Sequence, residues 1–280
     1  MHFTFQTVDD PNSNVNEVTG INDVSGIVGA IGSGAISSPF AGYTSSLPYS
    51  SFLSQVFPKA VGTIATSLSA TTVAGYVINP QQLAGTWAFV QIAGLWTIFK
   101  NHKEGTGKNA VTEILGVNDS GLAVGFFKNG SGVSIPVEII IAFEQFANLS
   151  PPGGKSAQAT GINDLGDVSG WEGTSNRAVG FLMRVGKYYT FLYPNASTTE
   201  AFGLNGQDQI VGYYRDSSGM RHGFILTNPT KGGSQQVWQP IDEPNGKRGT
   251  VVTGINDDDH ICGYYVDANG VQHGFVAIPS

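Results

Sequence analysis

Cysteine is all but absent from this chain. Cys262 stands alone among 280 residues, so no internal disulfide can staple the fold, and a single Cys inside a strand pattern reads as a small core residue. Charge is scarce too: Asp, Glu, Lys and Arg make up 12% of the residues, against roughly a quarter in an average soluble protein. The net charge is −7 with no cluster of Lys and Arg, which excludes the electrostatic footprint of a nucleic-acid partner. Long apolar runs are missing. The longest, Val137 to Phe143, is broken by Glu138 and has the length of a strand, where a membrane-crossing helix needs about 20 residues. No membrane partner is expected. The opening MHFTFQ lacks the apolar stretch of a secretory signal, so compartment rests on other features.

Motifs of hydrolytic and metal chemistry are lacking as well. There is no Gly-x-Ser-x-Gly elbow, and Glu104-Gly-Thr-Gly-Lys108 lacks the loop length and the following Ser/Thr of a phosphate-binding loop. No loop carries the alternating aspartates of a calcium site. His2, His102 and His260 lie on dissimilar elements, so no metal and no cofactor is expected.

Glycine, by contrast, is abundant at 38 residues, and much of it is periodic. Thr19-Gly-Ile-Asn-Asp23 returns as Leu115-Gly-Val-Asn-Asp119, Thr160-Gly-Ile-Asn-Asp164, Phe202-Gly-Leu-Asn205 and Thr253-Gly-Ile-Asn-Asp257, with a decayed copy at Ser67-Leu-Ser69. Each copy is followed by a short turn and a strand with a fixed Gly, such as Ile27-Val-Gly29, Val168-Ser-Gly170 or Ile261-Cys-Gly263. Successive copies are 42 to 51 residues apart, the period of four-stranded propeller blades, and no segment shows helical periodicity. Gly212 to Phe224 and Gly263 to Phe275 read as hairpins with aromatic strands around an Asp…Gly turn. The reading is an all-β, six-bladed β-propeller filling residues 1–280 as one domain, each blade built of strands a, b, c and d. The chain ends in a strand c, at His273 to Ile278, while Phe3 to Pro11 matches the fourth-strand pattern of Val237 to Pro244. The N-terminal strand is therefore expected to complete the last blade and cover its edge. The repeat glycines are assigned to crowding against neighbouring blades near the axis, and Asn-Asp to the a–b turn.

Gly-Ile-Asn-Asp, Val-Gly-Tyr-Tyr and the closing His-Gly-Phe resemble the extracellular repeats named after their His-Ala-Phe tripeptide, over nearly the whole chain. More narrowly, the chain resembles the fungal intermolecular hetero-Diels–Alderases of tropolonic sesquiterpene biosynthesis. That resemblance implies a propeller scaffold and a cofactor-independent cycloaddition joining a tropolone-type quinone methide to a terpene alkene such as humulene. It also implies a secretory or extracellular location. It supplies no active-site motif to carry over.

Repetition separates scaffold from site, because a residue demanded by every blade is structural. Blade-specific residues near the d–a and b–c loops form an aromatic set for binding an apolar small molecule: Tyr76, Trp87, Phe127, Trp171, Tyr214 and Tyr265. The competing reading packs these rings between blades. Lys128, Arg215 and His222 are the candidate catalytic donors to a substrate carbonyl. His222 and His273 are equivalent in their repeats, which argues for a structural role bonding a neighbouring blade. The stretch from Ile31 to Phe57, with Phe40, Tyr43 and Tyr49, is long enough to cap a pocket. A glycosidase pair of Glu172 with Asp216 or Asp267 is conceivable, but those aspartates fit hairpin turns better. Sequons stand at Asn118, Asn129, Asn148 and Asn195; Pro151 weakens the third, leaving Asn118, Asn129 and Asn195 as glycosylation candidates. A non-catalytic propeller that binds carbohydrate or another small molecule remains the alternative function.

Overall fold

A computed structural model describes residues 2–32, 40–78, 85–153, 156–174 and 176–280. The strands run in order β1 (Phe3–Val8), β2 (Val15–Ile21), β3 (Ile27–Gly32), β4 (Ala41–Ser45), β5 (Leu53–Gln55), β6 (Gly62–Leu68), β7 (Thr72–Ile78), β8 (Thr86–Ile92), β9 (Leu95–Phe99), β10 (Thr112–Val117), β11 (Leu122–Lys128) and β12 (Ser134–Ile140). They continue with β13 (Gln145–Asn148), β14 (Ala157–Ile162), β15 (Val168–Thr174), β16 (Arg177–Arg184), β17 (Lys187–Phe191), β18 (Thr198–Leu204), β19 (Gln209–Arg215), β20 (Arg221–Thr227), β21 (Val237–Ile241), β22 (Thr250–Ile255), β23 (Ile261–Val266) and β24 (Gln272–Pro279).

Consecutive strands pair antiparallel into the four-stranded sheets β6–β9, β10–β13, β14–β17 and β18–β21. The remaining strands form one eight-stranded sheet, so the described residues hold five hydrogen-bonded sheets where the repeat count leads one to expect six. The cause is a single parallel bridge, Val15 with Gln272, which ties β2–β5 to β22–β24. As the terminal strand pattern leads one to expect, β1 pairs antiparallel with β24 from Phe3 opposite Pro279 to Val8 opposite Gly274. The architecture is an all-β propeller.

The core lies between neighbouring sheets rather than inside any one of them. Ala88 and Phe99 of one sheet pack with Ile114, Phe127 and Ile139 of the next, and Leu182 and Phe191 pack with Ile210 and Phe224. Each of these buried Leu, Ile and Phe side chains contributes on the order of 1.5–3 kcal/mol. A four-stranded blade buries its apolar face only by having a neighbour.

In every repeat but the second, which has Ser67 on strand a, two glycines answer to two different constraints. A Cβ at Gly116 would come within 3.0 Å of Gly161 Cα, and one at Gly203 within 3.0 Å of Gly254 Cα, so the strand-a glycine keeps the innermost strands in contact around the axis. The strand-b glycine is different: a Cβ at Gly125 would lie 1.9 Å from Glu113 O, and at Gly75 2.0 Å from Ile64 O. Both carbonyls belong to the glycine's own sheet, beside a β-bulge where the register slips by one residue. The expectation of a clash with a neighbouring blade thus holds for strand a and is corrected for strand b.

The repeat asparagines join the sheets into a ring. Asn163 Oδ1 accepts the backbone N–H groups of Leu165 and Asp167, at 3.1 and 2.9 Å, while its Nδ2 donates to Asn205 O at 3.0 Å. The same side-chain donation runs from Asn118 to Asn163, Asn205 to Asn256 and Asn256 to Asn22. The aspartates add a second circle, in which Asp119 N–H donates to Asp164 and Asp257 N–H to Asp23.

Candidate functional site

The axial channel differs sharply between its ends. At one end, the a–b turns of all six repeats line a basin of about 320 Å³ that includes Asp23, Asp119, Asp164 and Asp257. Interblade hydrogen bonds occupy one carboxylate oxygen of each of these four aspartates, which accept the N–H groups of Asp257, Ala70, Asp119 and Gly206 respectively. The waist, lined by the strand-a glycines, narrows to a cavity of about 80 Å³.

The other mouth is built by strands a and b as they leave the waist. Strand register places one strand-a residue opposite one strand-b residue in every repeat: Glu17 with Ala30, Ile64 with Tyr76, Glu113 with Phe126, Gln158 with Trp171, Glu200 with Tyr213, and Val251 with Tyr264. Glutamate therefore recurs in alternate repeats. Burial raises the Glu113 carboxyl to about 7, against the lowering influence of a 2.8 Å hydrogen bond from Thr86 Oγ1 and of nearby Lys128. Glu17 is likewise raised to about 7 by burial, with Gln272 opposing. Burial also raises Glu200, although Tyr213, Arg221 and Arg215 all favour its ionised form.

The tyrosines report the same convergence from the other side. Tyr76 is pushed up by burial and then by the charges of Glu113 and Glu17, which belong to the repeats on either side of it. Burial lifts Tyr264 to about 12, with Arg221 lowering it and Glu17 raising it. Two guanidiniums sit over the Tyr213 ring, Arg215 at 5.6 Å and Arg221 at 5.2 Å from its centroid. This mouth brings together aromatic faces, carboxyl groups able to hold a proton near neutrality, and cations.

Four of the residues singled out from sequence, Tyr76, Trp171, Lys128 and Arg215, belong to this mouth. The others do not, because side chains alternate across a strand and theirs occupy the opposite face. Phe127 is buried in the core between two sheets. Tyr265 is also buried, its hydroxyl 3.2 Å from Thr7 Oγ1 and its ring stacked on His273. Tyr214 stacks on Tyr193 at 3.5 Å and on His222 at 5.2 Å. Trp87 pairs with Val77, on the face away from Tyr76, and Lys100 Nζ lies 4.8 Å from its ring.

His222 is held by Asp242 at 3.0 Å through Nδ1 and by Asp216 at 3.4 Å through Nε2, and so does not join Lys128 and Arg215. His273 repeats the arrangement with Asp9 at 2.6 Å and Asp267 at 3.8 Å. The partners of both histidines lie in their own sheet and not in a neighbouring blade, since Asp242 and Asp9 directly follow the fourth strands β21 and β1.

The glycosidase pairing falls for a similar reason. Asp216 and Asp267 each accept turn N–H groups, and Glu172 accepts Gly153 N–H at 2.8 Å. Asn118 is buried and fully engaged in the asparagine ring, which removes it as a glycosylation site; Asn195 is exposed and Asn129 half-buried. The long first-repeat segment does not cap the mouth where it is described. Tyr49, buried in its c–d connection, donates to Ser25 O at 2.9 Å, at the a–b end of the channel. Residues 33–39 of that segment lie outside the described residues.

Sequence reasoning missed Glu17, Glu113, Glu200, Tyr213, Tyr264 and Arg221. The signal was present: the three glutamates each stand three residues before the repeat glycine, at Gly20, Gly116 and Gly203.

Fold and mouth together define the class, a β-propeller whose channel ends in two chemically unlike mouths. No protein-family model and no curated protein matches the chain. Among solved structures it is similar to TolB from Acinetobacter baumannii, at 9% identity, TM-score 0.57, covering 91% of this chain and 64% of that one, so it spans under two thirds of TolB. It is also similar to a mutant of AofleA from Arthrobotrys oligospora, at 10% identity and TM-score 0.55 over 98% of this chain and 86% of that one. Streptogramin B lyase matches at 10% identity and TM-score 0.54, over 98% and 87%. These likenesses establish the fold alone.

Proposed function

We propose that the glutamate-bearing mouth binds a planar, conjugated small molecule and that the chain is a cofactor-independent pericyclase. The reaction is an intermolecular hetero-Diels–Alder addition of a tropolone-type quinone methide to a terpene alkene such as humulene. The observation that carries this reading is the inequality of the six mouth positions. Ala30, Tyr76, Phe126, Trp171, Tyr213 and Tyr264 alternate with Glu17, Ile64, Glu113, Gln158, Glu200 and Val251. A propeller that reads a repeated ligand would repeat its contacts, whereas a single pocket concentrates unlike groups.

A cycloaddition needs no nucleophile. It needs two reactants held in one orientation, and effective molarity then supplies much of the acceleration. Tyr76 and Trp171 offer faces on which to stack the diene. A carboxyl group that still holds its proton, at Glu113 or Glu17, or the cations of Lys128 and Arg215, would bond the diene carbonyl and stabilise developing charge by about 2–4 kcal/mol.

The eight-stranded sheet counts here as two blades sharing one bridge, giving a single six-bladed domain. The exposed Asn195 sequon is consistent with passage through a secretory pathway. The alternative, a non-catalytic binding propeller, draws on the same aromatic faces.

The test generates the quinone methide in the presence of humulene, with and without protein, and resolves the adduct by chiral chromatography with mass detection. A protein-dependent rise with one dominant enantiomer is expected. Yield and enantiomer ratio equal to the blank would remove the catalytic reading for these reactants.

A further inference from the structure

The corner of the mouth formed by β18, β19 and β20 carries an electrostatic imbalance. Arg215 and Arg221 are direct cross-strand partners, so two like charges face each other where that arrangement is unfavourable. Both guanidiniums lie against the same ring, Tyr213. Neither forms an ion pair among the described residues. Arg215 spends one N–H on Gly219 O at 3.1 Å, and the Nε groups of both arginines are buried with no acceptor. A buried donor without a partner costs about 1–3 kcal/mol, and more when it is charged. The neighbouring acid, Glu200, is hydrogen-bonded to the Tyr213 hydroxyl and leaves both Nε donors unmet.

Two adjacent cations, two unmet N–H donors and an aromatic face together call for an anion that is flat and accepts hydrogen bonds in its own plane. We propose that Arg215, Arg221 and Tyr213 form a subsite for a planar conjugated oxyanion, an arenecarboxylate or the enolate-like oxygen of a hydroxylated unsaturated ring. This inference rests on the small-molecule reading of the mouth and specifies the charge of the ligand. The ring system packs beside Tyr213 and Tyr264, and its oxygens take the two Nε hydrogens as the arginine side chains turn outwards from their buried positions. Arginine suits this role because its guanidinium is planar, permanently charged and weakly hydrated.

Isothermal titration with benzoate and its neutral isostere benzamide, at pH 6 and moderate salt, tests the subsite without any reaction. Benzoate is expected to bind at least tenfold more tightly than benzamide. Arg215→Gln and Arg221→Gln should each weaken benzoate at least tenfold and leave benzamide unchanged, with thermal melting confirming that both variants fold. Equal affinity for the two probes in the unmodified protein, or no benzoate binding, would overturn the proposal without reference to any variant. So would benzoate affinity that survives both substitutions. The cycloaddition assay separates this inference from the catalytic reading. Charge-selective binding without adduct formation removes catalysis and leaves the subsite, whereas adduct formation without charge selectivity removes the subsite alone.

Discussion

At the scale of single residues, the acids of the mouth set a pH dependence whose sign is fixed by burial. Glu113 rises from an ordinary value of 4.5 to about 7 in the folded protein, facing Thr86, Lys128 and Tyr76. Glu17 rises likewise, facing Gln272, Tyr76 and Tyr264. The folded state therefore keeps protons that the unfolded chain releases. Stability is full below the unfolded value and falls as pH climbs towards the folded one, by about 1–3 kcal/mol per group after allowing for solvent access to the mouth. Urea denaturation should show a lower midpoint at pH 8 than at pH 5. Glu113→Gln, which never has to ionise, should reduce that difference and exceed the unmodified protein in stability at pH 8. An unchanged pH profile in the variant would mean that Glu113 is ionised throughout. This residue was visible in the sequence as one of three glutamates that stand three residues before a strand-a repeat glycine, but its burial was not, because burial depends on the repeats at either side.

At the scale of an element, β1 decides whether the ring stays shut. It pairs along its length with β24, and Phe3 and Phe5 pack on the cluster around Ile261 and Phe275, the Phe5 ring lying 5.3 Å from that of Phe275. Asp9, just beyond β1, holds His273 at 2.6 Å. Removing residues 1–9 takes away this pairing, the aromatic contact and the histidine's partner, and bares β24 as an edge strand. The truncated chain should elute as oligomers or aggregate in light-scattering chromatography, while the full chain keeps one smaller size. A truncated chain of unchanged size and melting temperature would show that β1 is dispensable. This pairing was legible beforehand, since strand patterns repeat and a missing fourth strand at one terminus predicts a spare one at the other. The tying of two four-stranded units into one eight-stranded sheet was not legible. It depends on one bridge between Val15 and Gln272, a contact with no sequence pattern of its own.

At the scale of the whole molecule, the asparagine ring makes stability a shared property of the blades. Asn163→Ala strands one carbonyl and two N–H groups that are met by its side chain, and should cost about 2–4 kcal/mol. Chemical denaturation that stays a single transition at a lower midpoint is the expected result. A midpoint shift too small to resolve would show that the ring is decorative. The decayed second repeat already lacks this residue, with Ser69 in its place, and there the aspartate circle alone continues, through Ala70 N–H to Asp119 at 2.7 Å. The sequence by itself determined the repeat, the strand order, the closing N-terminal strand and the turn role of Asn-Asp. Each follows from local chemistry that recurs at a fixed period. Only the tertiary structure decided which aromatics face the channel. Tyr213 and Tyr214 are neighbours of the same type, yet one lies under two arginines and the other stacks on Tyr193. A strand sends successive side chains to opposite faces, and a bulge shifts that alternation by one residue. The face that becomes a site is therefore set by register between strands and by packing between blades, which no residue specifies alone.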